Sequence, residues 1–324
     1  MENTKFCPVK LFPACKAAIW GGHRLKAEYG KHSELPSIAE TWELSCHPQG
    51  ESTVASGPFQ GSTLSEYLRK LGPEAVGTRV KGAEFPILVK FIDAAERLSV
   101  QVHPDDAYAR RVEGQAGKNE MWYILDCQPG AQLLFGLKES CTREELEKAI
   151  RENTLVERMR AVPVQKGDVY FIPAGTLHAI GKGILVAEIQ QSSDVTYRVY
   201  DYGRLGQDGK PRQLHVEKAL NVADTVSRPV ESSPEGPRQE IQGGFITRMK
   251  TSSWFTVDKL ELSGNFASVC GPESFQAFLC LKGCGELSGG GEYLSLQKGD
   301  TVFLPACMGA YRLSGEGEFL RIFL

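Results

Sequence analysis

The sequence predicts a mainly β protein made of two antiparallel, jelly-roll-like β-barrels, with a small helical insertion in the N-terminal part. Three observations support this prediction. Many short apolar runs are separated by glycine and proline, one ten-residue pattern occurs twice, and a proline- and serine-rich stretch divides the chain. Short strands joined by turn residues are typical of sandwich and barrel architectures.

The predicted strands are nine short runs rich in Val, Ile, Phe and Tyr, which favour a pleated, half-buried surface. Each run is bounded by Gly, Pro or Asp, which interrupt regular structure. The runs cover residues 85–92, 98–102, 121–125, 131–135, 169–172, 184–189, 256–262, 275–281 and 301–304.

Helices are predicted where capping signals precede apolar periodicity. Thr63-Leu-Ser-Glu66 and Thr142-Arg-Glu-Glu145 both have the capping-box pattern. The first predicts a helix that ends at Gly72, and the second a helix with Leu146, Ile150 and Leu155 on one side. Asp105 or Asp106 is expected to cap a short third helix.

Residues 224–243 combine proline, serine and charge without periodicity, which is typical of a linker. We therefore predict an N-terminal domain over residues 1–238, which contains the helices. A second domain is predicted over residues 239–324.

The internal repeat links these two domains. Gln165–Ala174 matches Gln297–Ala306 at a constant offset of 132 residues. Its Lys-Gly-Asp turn, apolar strand and Pro-Ala exit are similar to the cupin motif, which belongs to small antiparallel barrels. His178 follows the first copy, whereas Ala310 stands at the corresponding position of the second. A metal bound through His178 would therefore be expected in the first domain alone.

Composition limits the function classes. The 324 residues carry a net charge of −3, which argues against nucleic acid as a partner, and no apolar run approaches the length of a membrane span. Nine irregularly spaced cysteines without a Cys-x-x-Cys pair suit free thiols in a reducing compartment. The first residues lack a signal-peptide layout, so we expect a cytoplasmic protein, and a monomer is the default expectation.

Polar residues at strand positions suggest a metal site. In Leu98–His103 the side chains of Ser99, Gln101 and His103 share one face of a strand, which is unusual for an apolar core. Glu120 begins the next strongly apolar strand, and His178 follows the repeat. Taken singly, His103 can be a strand-end residue before a proline, and Glu120 can be exposed.

Taken together, these residues offer two imidazoles, one carboxylate and one amide oxygen. Gln101, His103, Glu120 and His178 thus suit a single Zn²⁺ per chain, which would keep Lewis acidity because only one ligand is charged. Iron and manganese use similar ligands and stay open as alternatives.

Five segments together resemble type I phosphomannose isomerases in their short bacterial form. They are Ala39–Pro48, Leu98–Asp106, Lys118–Trp122, Phe171–His178 and Glu188–Tyr200. The resemblance implies a zinc-dependent enzyme of the cupin superfamily that interconverts mannose 6-phosphate and fructose 6-phosphate. It covers about residues 7–205 well and the C-terminal part more loosely.

The resemblance also implies roles for individual residues. Gln101, His103, Glu120 and His178 take the zinc-ligand positions, and Arg198 takes the position of an essential arginine. Ser99 and Lys90 take positions that hold the substrate phosphate. Lys118, Glu40, His47 and Glu188 match residues that line the pocket, although the spacing between Glu40 and His47 departs from the longer family members.

The expected reaction moves a proton between C1 and C2 through an enediol-like intermediate. Arg198 suits stabilisation of its negative charge, because a guanidinium keeps its proton. Glu188 is the candidate base, and we expect burial to raise its pKa. A metal-bound water is the alternative base.

Two other functions stay open at this stage. One is a metal-containing cupin that senses a sugar phosphate without turnover. The other is a cupin iron oxygenase.

Overall fold

The computed structural model describes residues 6–82, 84–206 and 208–324, in which strands far outweigh helices. The strands of the first two-thirds are β1 (Val9–Phe12), β2 (Ala14–Lys16), β3 (Glu40–Leu44), β4 (Thr53–Val54), β5 (Ile87–Ala94), β6 (Val100–Val102), β7 (Glu120–Cys127), β8 (Gln132–Leu137), β9 (Met159–Pro163), β10 (Val169–Ile172), β11 (His178–Ala179), β12 (Ile184–Gln191) and β13 (Tyr197–Tyr200). The later strands are β14 (Arg238–Ile241), β15 (Gly244–Thr251), β16 (Thr256–Cys270), β17 (Gln276–Gly289), β18 (Glu292–Gln297), β19 (Thr301–Leu304) and β20 (Gly309–Phe323).

The helices are short and lie mostly between the early strands. They are α1 (Arg24–Tyr29), α2 (Leu64–Leu71), α3 (Asp106–Val112), α4 (Arg143–Arg151), α5 (Leu155–Arg158) and α6 (Val216–Leu220). None of the helices in the described parts of the chain is long and apolar enough to cross a membrane.

Local capping signals set the helix starts. The hydroxyls of Thr63 and Thr142 each accept a hydrogen bond from a backbone N–H three residues on, and both capping boxes are complete, so these predictions are confirmed. The Asp105 carboxylate caps α3. The helix predicted after Thr142 is interrupted, however, because the chain turns through Asn153 at φ 59° before α5 begins.

The strands form three antiparallel sheets. The six-stranded sheet has the order β10-β7-β12-β5-β3-β2, and the five-stranded sheet has the order β13-β6-β11-β8-β9. The third sheet has nine strands in the order β14-β15-β16-β20-β17-β19-β1-β4, with β18 beside β17. Within the described residues none of these sheets closes on itself. The mainly β, antiparallel prediction is confirmed, whereas two closed barrels are not.

The first two sheets pack face to face around a shared apolar core. Ile92, Trp122 and Ile124 of the six-stranded sheet belong to the same buried cluster as Leu133 and Phe135 of the five-stranded sheet. Most of the polar residues predicted to form the site lie on or directly beside β3, β5, β6, β7, β11, β12 and β13. The core therefore fixes the strands that carry the site.

The N-terminal segment also takes part in the nine-stranded sheet. Strand β1 pairs with β19, with Val9 opposite Phe303, and β4 pairs with β1. A buried ion pair reinforces this junction, because the Lys31 ammonium lies 2.7 Å from the Glu43 carboxylate. Glu43 also accepts a hydrogen bond of 2.7 Å from the Thr301 hydroxyl. The early and late parts of the chain thus share one core.

The stretch predicted as a linker is only partly irregular. Strand β14 begins at Arg238 and forms a hairpin with β15, so the end of that stretch belongs to the nine-stranded sheet. The division of the chain near residue 238 stays a prediction.

Candidate metal centre and active site

Three donor side chains from separate segments of the chain converge at one end of the two-sheet core. The ligand atoms of His103, Glu120 and His178 all lie within 4.8 Å of one another, and all three residues are buried. His178 Nε2 lies 3.2 Å from Glu120 Oε1, and His103 Nε2 lies 3.7 Å from Glu120 Oε2. Two ligand atoms on one tetrahedral ion at about 2.1 Å would lie about 3.4 Å apart. The observed separations fit a shared cation.

Backbone carbonyls fix the tautomers of both histidines. His103 Nδ1 lies 2.9 Å from the carbonyl oxygen of Val195, and His178 Nδ1 lies 2.9 Å from that of Thr176. Because a carbonyl oxygen only accepts, each Nδ1 carries the proton and each Nε2 presents a lone pair to Glu120. Lone pairs on Nε2 and on ionised carboxylate oxygens repel one another, and a bound cation would relieve this repulsion. Carbonyl-oriented imidazoles of this kind are typical of metal sites.

Burial sets the protonation of these groups. It lowers the pKa of His103 well below its ordinary range and that of His178 to about 4, so both imidazoles are neutral at pH 7, the form that binds metals. Burial raises the pKa of Glu120 to about 7, although the Lys118 ammonium opposes this shift. Glu120 Oε1 is buried without a hydrogen-bond partner. A bound cation would compensate the charge of an ionised carboxylate oxygen in that position.

Gln101 and Lys118 lie at the edge of the ligand set. Gln101 pairs with His178 across β6 and β11, and its side-chain nitrogen lies 3.3 Å from His178 Nε2. Rotation of the amide by half a turn would present its oxygen there instead. The Lys118 ammonium lies 2.9 Å from Glu120 Oε2 and 3.2 Å from His103 Nε2.

A second cluster of buried charges lies on the neighbouring strands β5 and β12. Lys90 and Glu188 are paired in register, and Lys90 Nζ lies 3.1 Å from Glu188 Oε1 and 3.6 Å from Glu40 Oε2. The Trp122 indole N–H donates to Glu188 Oε2 at 2.9 Å.

This cluster reverses the pKa shift expected from the sequence. Burial alone raises the pKa of Glu188, but the ammonium groups of Lys90 and Lys118 outweigh it and lower the pKa to about 2. The expectation of a raised pKa for Glu188 is therefore wrong. The pKa of Glu188 is lowered mainly by Lys90, its partner on the adjacent strand. The sequence alone does not show that these two residues are paired.

Arg198 lies across β13 and β6 from Gln101, beside the ligand set. Its Nε donates to Ser99 Oγ at 3.2 Å and its Nη1 donates to the carbonyl oxygen of Gln213 at 3.0 Å. The guanidinium is thus held by neutral acceptors. Burial lowers its pKa from the ordinary value, and Arg212 adds to this effect.

His47 is buried, and its described contacts do not include the metal-ligand side chains. Its Nε2 is 3.7 Å from Asp194 Oδ1, and its ring packs edge-on against Trp42. It lines a cavity of about 390 Å³ that includes no metal-ligand side chain.

The structure adds residues that the sequence interpretation did not select. Trp122 orients Glu188, and the carbonyls of Val195 and Thr176 orient the histidines. Trp122 lies in a strand whose sequence otherwise predicts a buried core element. The N–H of its indole was the feature of the sequence that could have indicated a role in orienting a polar group.

The chain matches two family models. Residues 9–126 match "Phosphomannose isomerase type I, catalytic domain", and residues 246–324 match "Mannose-6-phosphate isomerase, cupin domain". A mannose-6-phosphate isomerase of Streptococcus mutans is 38% identical over 302 residues, which cover 93% of each protein. The mannose-6-phosphate isomerase ManA of Bacillus subtilis is also 38% identical, over 96% of this chain and 97% of the relative.

Solved structures agree with these sequence matches. The crystal structure of the mannose 6-phosphate isomerase from Bacillus subtilis superposes with a TM-score of 0.90 at 37% identity, over 98% of this chain and 99% of that one. The phosphomannose isomerase from Salmonella typhimurium, at 17% identity and a TM-score of 0.77, shares the fold over 98% of this chain and 99% of its own. The chain therefore belongs to the type I phosphomannose isomerase family, a family of aldose–ketose isomerases.

Proposed function

We propose that this chain interconverts mannose 6-phosphate and fructose 6-phosphate as a zinc-dependent enzyme with one Zn²⁺ per chain. The observation that carries the proposal is the convergence of unprotonated Nε2 atoms and carboxylate oxygens from His103, Glu120 and His178. Gln101 completes the proposed ligand set. Zn²⁺ bound there would supply Lewis acidity toward a substrate oxygen.

Glu188 is the proposed proton carrier between C1 and C2 of the hexose. Its lowered pKa keeps it ionised at pH 7, so it is always in the proton-accepting form. Trp122 and Lys90 hold both of its oxygens, which fixes the direction of the carboxylate. Orientation of this kind contributes to general-base catalysis, whereas the lowered pKa makes Glu188 a weaker base than an unpaired carboxylate.

Arg198 and Lys118 are the proposed stabilisers of negative charge on the enediol-like intermediate. The described hydrogen bonds of the Arg198 guanidinium go to neutral acceptors, and no described ion pair joins it to a carboxylate, although Asp201 acts on it at longer range. A desolvated, fixed cation of this kind stabilises developing negative charge strongly. The Lys118 ammonium is a second buried cation at the ligand set.

The remaining predicted residues would contact the substrate at groups other than C1 and C2. Ser99 is already oriented by Arg198, and Lys90 bridges Glu188 and Glu40. We propose that Ser99 and Lys90 lie near the phosphate and that Glu40 and His47 line the outer pocket. Free cysteines such as Cys15, Cys46 and Cys127 are consistent with the proposed cytoplasmic location. A monomer stays the default proposal.

A coupled assay tests the proposal directly. Purified protein should convert mannose 6-phosphate into fructose 6-phosphate, detected through a fructose 6-phosphate-consuming enzyme. A sensor would bind the sugar phosphate without turnover, and an oxygenase would consume oxygen. Absence of isomerisation by metal-loaded protein would refute the proposed function.

A further inference from the structure

Hydrogen bonds among polar side chains link the chain segments that carry the proposed metal ligands. The Trp254 indole N–H donates to Asp106 Oδ2 at 3.3 Å, and Gln191 Nε2 donates to both Asp106 oxygens at 3.1 and 3.2 Å. Gln191 Oε1 in turn accepts from Asn119, from the backbone N–H at 3.0 Å and from Nδ2 at 2.7 Å. We name Trp254, Asp106, Gln191 and Asn119 the support network.

Asn119 joins two ligand-bearing segments. It stands between Lys118 and Glu120, so any displacement of its backbone moves the Glu120 carboxylate. Its side-chain oxygen accepts a hydrogen bond of 3.0 Å from the backbone N–H of Ala174, where the turn to His178 begins. One buried amide thus sets the distance between the segments that carry Glu120 and His178.

Asp106 anchors the same segment from the other side. Its Oδ1 accepts a hydrogen bond of 2.9 Å from the backbone N–H of Gly117. Gly117 packs so closely on α3 that an added Cβ would lie 2.5 Å from Asp106 N, so the position excludes any side chain. Asp106 also follows His103 by three residues, which ties the third ligand to the network.

Trp254 brings the C-terminal part of the chain to this network. It lies in the turn between β15 and β16, where Ser252 Oγ accepts from the backbone N–H groups of Trp254 and Phe255 at 3.2 and 3.1 Å. These hydrogen bonds fix the turn and thereby the position of the indole that contacts Asp106. The repeat in this part of the chain has lost its histidine, with Ala310 in its place.

We propose that Asp106, Gln191 and Asn119 are positioning residues for the metal centre, and that Trp254 is the contact through which the C-terminal part supports it. This inference rests on the proposed function in taking the centre to hold a metal. Loss of groups that orient metal ligands costs about 10- to 100-fold in metal affinity in other proteins. We expect an effect of that size here.

The test compares Asp106→Asn with Asp105→Asn. Both substitutions remove one negative charge from the start of α3, but Asp105 only caps the helix, and asparagine caps equally well. Zinc affinity is measured by competition with a chromophoric chelator, and the melting temperature of the metal-free protein is recorded. The visible spectrum of the Co²⁺-substituted protein reports ligand geometry.

Asp106→Asn should weaken zinc binding at least about 10-fold and change the cobalt spectrum, and Trp254→Phe should weaken binding by less. Asp105→Asn should leave both readouts unchanged. Unaltered affinity and spectrum in Asp106→Asn would overturn the inference, even if its metal-free form melts earlier. A wild-type protein that binds no zinc would instead overturn the proposed function, and the inference with it.

Discussion

The Lys90 ammonium lies 3.1 Å from the Glu188 carboxylate, opposite it on the adjacent strand and fully inside the protein. This pair decides the protonation of the proposed base. An isolated buried carboxylate would hold its proton near neutral pH, whereas Glu188 is ionised because Lys90 stabilises its charge.

Lys90→Met should raise the pKa of Glu188, because the methionine removes the nearest positive charge and leaves the carboxylate desolvated. Activity requires the ionised base, so the acidic limb of kcat against pH should move to higher pH. The folded pKa is below its ordinary value of 4.5, so the stability that Glu188 contributes is present above that value and lost as pH falls toward 2. In Lys90→Met, the free energy of unfolding should not show this decrease as the pH falls from 4.5 toward 2. A kcat profile with an unmoved acidic limb would contradict the pairing role.

Glu188→Gln should lower the exchange of the substrate C2 proton with solvent by at least about 100-fold, because an amide cannot accept that proton. The measurement is incorporation of solvent deuterium into mannose 6-phosphate. Glu231→Gln removes a charge from an exposed loop position and serves as the control. Exchange at the wild-type rate in Glu188→Gln would assign the proton transfer to another group.

Arg198→Ala should lower kcat by at least about 100-fold while the metal content is unchanged, because charge stabilisation is lost but no ligand is removed. Steady-state kinetics and elemental analysis on the same preparation test both parts. Arg151→Ala, an exposed arginine on α4, should behave like the wild type. Near-normal turnover in Arg198→Ala would remove it from the mechanism.

His103→Ala should abolish metal binding and activity together, whereas the wild type should hold about one metal per chain. Chelator treatment of the wild type should abolish activity, and added Zn²⁺ should restore it. Exposed His32→Ala is the matched control. Full activity after complete removal of the metal would show that the centre is not required.

Lys31→Met should lower the free energy of unfolding by about 3–5 kcal/mol, because it leaves the buried Glu43 carboxylate without its cation. Thr301→Val should cost about 1.5–3 kcal/mol, since one hydrogen bond to the charged Glu43 carboxylate is lost. Urea unfolding provides the comparison, with exposed Lys148→Met as the control. A loss below about 1 kcal/mol for Lys31→Met would show that the junction tolerates the unpaired charge.

The sequence by itself determined the local structure and the inventory of donor groups. Alternation in Leu98–His103, the capping boxes at Thr63 and Thr142, and the strands at 169–172 and 301–304 follow from residues close together in the chain, so they could be predicted. The residues of the candidate metal centre could also be selected, because four donor groups occur together in motifs that resemble one family, although each residue alone had another interpretation.

Only the tertiary structure decided which groups meet. The pairing of β1 with β19 and the open sheets depend on contacts between distant segments. The same holds for the ionised Glu188 and for the indole of Trp254 on Asp106. Electrostatic energies in a buried site depend on distances of a few ångströms, and those distances are set by the packing of whole sheets rather than by neighbouring residues.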